Sequence, residues 1–125
     1  MSLESQLQDA SQDFQKLQMT LSKAVDARQQ LEAQLSENQL VKKEFAQLTP
    51  TNTIYKLMGP VLVEQDQAEA KSNVDTRLDF IQSEIKRVEA QIKEVESKQE
   101  AKRSEIIQIQ TALQQQQQKV SGPSA

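Results

Sequence analysis

A chain of 125 residues, 36% hydrophobic and only 3% aromatic, has single-domain length but too few large side chains to fill the centre of a compact globule. It contains no cysteine and no histidine, which excludes disulfides, thiolate metal sites, cysteine nucleophiles and imidazole-based mechanisms. The net charge of −3 is evenly spread: residues 1–48 carry five basic and seven acidic groups and residues 73–125 eight of each, so neither half offers the basic stripe that would bind nucleic acid or an acidic membrane.

The chain opens Met1-Ser2-Leu3-Glu4, without the basic and then apolar segment of a secretory signal. No apolar run approaches the roughly 20 residues that span a bilayer. A soluble, intracellular protein is expected. No glycine or proline occurs before Pro50, and a helix is predicted over about 2–48. Its seven-residue series are Leu3, Ala10, Leu17, Ala24, Leu31, Asn38, Phe45 and Leu7, Phe14, Leu21, Arg28, Leu35, Lys42. The alternating four–three spacing never slips, which is the pattern of a coiled-coil seam.

The connector follows. Thr53-Ile54-Tyr55-Lys56-Leu57-Met58 and Val61-Leu62-Val63-Glu64-Gln65 flank Gly59-Pro60, and strand-forming residues around a turn dipeptide predict a β-hairpin over about 53–66. Ile54, Tyr55, Leu57, Met58, Val61, Leu62 and Val63 are all apolar or aromatic, so both faces of the ribbon call for cover. The helical stalk can cover one face at most. A two-stranded ribbon is marginal by itself and has two unpaired edges, so pairing with hairpins of other polypeptides is expected, with these seven residues as the oligomerisation surface.

Beyond the hairpin, Ser72-Asn73-Val74-Asp75 has the look of a capping box, and a second helix is predicted over about 73–119. Its seam series are Val74, Ile81, Val88, Val95, Lys102, Ile109, Gln116 and Leu78, Ile85, Ile92, Gln99, Ile106, Leu113, Val120. Glu89 with Lys93 and Glu94 with Lys98 place acid four residues before base on exposed faces. At 1.5 Å per residue each arm would be about 70 Å long. Gln114 to Gln118 reads as a fraying helix end and 122–125 as a disordered tail, leaving residues 1–121 as one domain. The seams alone also fit parallel multimers. Equal arms joined by a short connector favour an antiparallel pair within the chain, because folding back is the cheapest way to bury both seams. The fold class is thus mostly α: a long antiparallel two-helix coiled coil with one central β-hairpin.

Polar residues interrupt the seams at Arg28, Asn38, Lys42, Gln99, Lys102 and Gln116. A fold-back centred on Gly59-Pro60 sets residues 99 and 102 opposite about 17–20, where no charge pairing among these residues results, and local softening of the arms is expected.

The connector, Tyr55-Lys56-Leu57-Met58-Gly59-Pro60-Val61-Leu62-Val63-Glu64-Gln65-Asp66 between two heptad arms, resembles the linker of β-type prefoldin subunits. Leu31-Glu32-Ala33-Gln34-Leu35-Ser36-Glu37-Asn38, Val41-Lys42-Lys43-Glu44, Arg77-Leu78-Asp79-Phe80-Ile81 and Glu84-Ile85-Lys86-Arg87 match as well, so the resemblance covers about residues 28–96. It implies a cytoplasmic heterohexamer in which this chain joins two α-type and three other β-type subunits, the hairpins forming an oligomeric β-barrel. It further implies capture of unfolded or nascent actin and tubulin and their delivery to the cytosolic group II chaperonin.

Client contact is expected at the far ends of the arms, where Leu3, Leu7 and Ala10 lie near Ile109, Leu113 and Val120 and fraying exposes apolar side chains. Several arms would convert weak contacts into capture through effective concentration. No phosphate-cradling glycine-rich loop exists, so no nucleotide or other cofactor is expected. The carboxylates are spread along solvated faces with no core to shift their pKa values, so an enzyme is not expected either. A structural coiled-coil tether is the alternative, and an RNA-clasping helical arm would need the basic ridge that the charge count denies.

Overall fold

The computed structural model describes residues 2–120, with the side chain of Val120 and the expected tail at 122–125 outside the described residues. Four elements follow in order: α1 (Leu3–Ala46), β1 (Ile54–Met58), β2 (Val61–Gln65) and α2 (Gln67–Val120). The chain is mostly helical with one central antiparallel hairpin, as the heptads and the connector predict.

Each helix begins at a side-chain cap. Ser2 accepts from the Ser5 amide at its Oγ (3.1 Å) and from the Gln6 amide at its carbonyl (3.0 Å), satisfying donors that a first turn leaves unbonded. The start of α2 corrects the expectation of a cap at Ser72. The cap is Asp66, whose Oδ2 accepts from the Glu69 amide (3.2 Å) and whose carbonyl accepts from the Ala70 amide (2.9 Å). Asp66-Gln67-Ala68-Glu69 is itself an N-cap acid followed three residues later by glutamate, and nothing between 67 and 72 breaks a helix. Ser72 and Asn73 are therefore interior helical residues. At its other end α1 tightens, with Gln47 and Leu48 amides bonding three residues back to Glu44 and Phe45, before Pro50 ends it.

Two compact units divide the chain: Ala27–Val88, and Met1–Asp26 with Glu89–Ala125. In the hairpin-bearing unit α2 supplies the buried line Ala70, Val74, Leu78, Ile81 and Val88, while Leu31, Leu35, Asn38, Phe45 and Ile85 are half-buried. In the other unit Ala10, Val95, Gln99 and Ile109 are buried, with Leu3, Leu7, Phe14, Leu17, Leu21, Ile92, Ile106 and Leu113 half-buried beside them. Among the described residues no large side chain is wholly buried. A helix with one partner can close its seam only from one side, and the core is a stripe.

The polar interruptions of the seam do more than soften it. In the hairpin-bearing unit Arg77 Nη1 donates to Asn38 Oδ1 (3.4 Å), and Lys42 pairs with Asp75 (3.0 Å), which sets α1 and α2 antiparallel there. These partners lie up to about a turn away from a fold-back centred on Gly59-Pro60. The cause is the lopsided connector, in which residues 47–53 join α1 to β1 and Asp66 alone joins β2 to α2. In the other unit Lys102 pairs with Asp13 (3.5 Å) and with Glu105 (2.8 Å), while the Arg103 guanidinium sits 5.8 Å from the centroid of the Phe14 ring. The Glu105 hydrogen bond is the main reason the Lys102 ammonium holds its proton above the ordinary lysine value. Arg28 instead pairs along its own helix with Glu32 (3.2 Å). All of these groups are well exposed or at a rim, so each contact fixes register more than it stabilises.

Candidate functional site: the central hairpin and the arm ends

The hairpin is held in one register: Ile54 with Gln65, Tyr55 with Glu64, Lys56 with Val63, Leu57 with Leu62, and Met58 with Val61. Gly59 and Pro60 form the two-residue loop. Gly59 has a φ of +59°, and the proline ring holds the next φ negative, the sign order of a type II′ turn that matches strand twist. A Cβ at Gly59 would meet nothing within 4 Å, so glycine is required there by backbone conformation and not by space.

Side-chain alternation gives the ribbon two faces. Ile54, Lys56, Met58, Val61, Val63 and Gln65 share one; Tyr55, Leu57, Leu62 and Glu64 share the other. Of the seven residues expected at the oligomerisation surface, Tyr55, Leu57, Met58, Val61, Leu62 and Val63 are 44–68% exposed, and Ile54 is half-buried. The sheet has two strands and therefore two edges. The chain's own helices leave both faces open, a stronger form of the expectation that one face at most is covered.

A residue missed from sequence anchors this ribbon. Gln67, the first residue of α2, donates through Nε2 to the carbonyls of Thr49 (2.9 Å) and Asn52 (2.6 Å). The same turn is closed by the Asn52 amide on the Thr49 carbonyl (3.0 Å) and by Asn52 Oδ1, which accepts from the Thr49 amide (2.7 Å) and hydroxyl (3.0 Å). Gln67 thus ties the turn leading out of α1 to the helix leading out of β2. No spacing rule marks a glutamine for this role; Thr49-Pro50-Thr51-Asn52 as a turn was the available signal.

At the arm ends the structure sorts the expected client residues. Ala10 and Ile109 are buried, whereas Leu3, Leu7 and Leu113 are half-buried; the side chain of Val120 lies outside the described residues. In the same unit Met19 and Ile107 are exposed apolar side chains that lie off the seam, and heptad reading passes over them for that reason. Leu40 and Phe80 are their counterparts in the hairpin-bearing unit. Among the described residues no group of His, Cys, Asp or Glu could hold a metal ion, and no helix is long and apolar enough to cross a membrane.

A capped pair of heptad helices that presents a bare two-faced hairpin is a subunit architecture. The family of prefoldin subunits matches residues 8–120, and the chain belongs to it. Prefoldin subunit 6 of the dog is 43% identical over 98% of this chain and 95% of its own length. Prefoldin subunit 6 of Saccharomyces cerevisiae is 46% identical over 77% of this chain and 84% of its own length, and that of Arabidopsis thaliana 41% identical over 90% and 87%. The prefoldin beta subunit from Thermococcus strain KS-1 has the same fold, with a TM-score of 0.76 at 22% identity over 86% of this chain and 92% of its own. The chain is a subunit of this co-chaperone family, similar to subunit 6 of these relatives and folded like a prefoldin beta subunit, with other prefoldin subunits as its partners.

Proposed function

We propose that the chain is one of the four β-type subunits of a cytosolic heterohexamer that captures unfolded or nascent proteins such as actin and tubulin and passes them to the group II chaperonin without consuming ATP. The observation that carries this reading is the exposure of six apolar side chains on both faces of a two-edged ribbon. Covering a half-exposed aliphatic side chain contributes roughly 1 kcal/mol, and several together favour association strongly. Sister hairpins supply both the missing strands and the missing cover. Client capture belongs to the arm ends, where Leu3, Leu7 and Leu113 are only half-covered and Ala10 and Ile109 become available as the helices fray.

Replacing Val61 and Val63 together by aspartate removes two of the aliphatic side chains of the Lys56-bearing face and puts two negative charges in their place. Native mass spectrometry of the chain mixed with its sister subunits should then show no hexamer, and a hexamer of normal abundance would contradict the proposal. A chain lacking residues 1–10 and 110–125 should assemble but suppress aggregation of unfolded actin less well; unchanged suppression would remove the arm ends from client capture.

A further inference from the structure

The hairpin carries opposite charges on its two faces, and only one of them sits at a centre. On the first face the rows are Ile54 with Gln65, Lys56 with Val63, and Met58 with Val61, so Lys56 occupies the middle row. On the second face there are two rows, and Glu64 lies in the outer one beside Tyr55. Lys56 is exposed and makes no ion pair with any described residue.

We propose that Lys56 is a specificity-determining residue of the assembly surface: it bars face-to-face pairing of two copies of this chain and selects a sister hairpin that presents a carboxylate to the middle row. This rests on the reading of the hairpin as the assembly surface. Two copies that close on each other do so about a two-fold axis, and the middle row then meets itself. The two Lys56 ammonium groups would be brought together while Met58, Val61 and Val63 exclude the water that screens them. Like charges facing across a sheet oppose pairing, and desolvation sharpens the effect. A sister hairpin with an aliphatic residue in that row would leave the ammonium without a partner. One with an aspartate or glutamate gives it an ion pair and a hydrogen bond. Attraction to the right partner and repulsion of the wrong one thus come from a single side chain.

The test uses the full chain. Lys56→Met keeps an unbranched side chain one atom shorter and removes its charge; sedimentation of the purified chain should show self-association at least tenfold tighter than for the unsubstituted chain. In the complex with sister subunits, carbodiimide coupling followed by peptide mapping should join Lys56 to an aspartate or glutamate of a neighbouring subunit. Self-association equal for the two chains, or an assembled complex in which Lys56 couples to no carboxylate, overturns the proposal. The Val61 and Val63 aspartate variant separates the two levels. If that variant still assembles, the hairpin is not the assembly surface; if it fails to assemble while Lys56→Met behaves as the unsubstituted chain, Lys56 alone is removed from the account.

Discussion

Leu57 and Ile81 belong to the same compact unit and have side chains of the same size, yet Leu57 is 68% exposed and Ile81 only 3%. Ile81 stands on a helix whose apolar residues recur on one stripe, so one neighbouring helix is enough to cover it. Leu57 stands on a ribbon whose apolar residues occur at consecutive positions and therefore point to both faces. Among the described residues no segment covers both. The same hydrophobic chemistry is thus buried in the seam and left exposed in the hairpin, and geometry decides which.

Four substitutions probe that contrast, the second as the control for the first. Ile81→Ala should lower the stability of the chain by about 2–5 kcal/mol in denaturant unfolding, through lost burial and the space left behind. Leu57→Ser in the isolated chain should change it by less than about 0.5 kcal/mol; a loss as large as that of Ile81→Ala would show the hairpin to be covered and break the comparison. Gly59→Ala should cost the hairpin about 1–3 kcal/mol, because a side chain disfavours a φ of +59°. Loss of assembly with helical circular dichroism unchanged is the expected reading. Gln67→Ala removes two hydrogen bonds to exposed backbone carbonyls, each contributing about 1 kcal/mol at most, and should speed amide exchange in residues 49–53 more than in the seam.

The smallest effect is a titration. The hydrogen bond from Arg87 to Glu84 holds that carboxyl below its ordinary value of 4.5. Its folded-state pKa is depressed, so whatever the pair adds is present above the unfolded-state value and lost as pH falls through the folded one. Acid unfolding of Glu84→Gln should consequently lack a slight dependence below about pH 4.5 that the unsubstituted chain shows. Because the pair is on the surface of one helix, the hairpin's assembly should not respond to it.

Much of the architecture was legible in the residues. Glycine and proline confined to the connector and the tail left two uninterrupted stretches, and the unbroken four–three spacing made both of them seams. The hairpin followed from Gly59-Pro60 between apolar runs. Less legible was the start of α2, because two capping patterns lie six residues apart and the choice falls to Asp66, which is placed by the end of β2. The cross-helix partners were not legible either: Asp13 for Lys102 and Asp75 for Lys42 lie outside the seam series and depend on a connector that is long on one side and short on the other.

Amino-acid order alone determined the periodicities, the turn and the two-faced apolar pattern of Ile54 through Val63, since each rests on neighbours within a few residues. Only the tertiary structure decided which seam residues close fully, how the two helices are offset, and that Gln67 secures the turn between α1 and β1. Those features depend on where one segment lands upon another far along the chain. Small differences in connector length move that landing by a turn of helix while the local pattern stays the same.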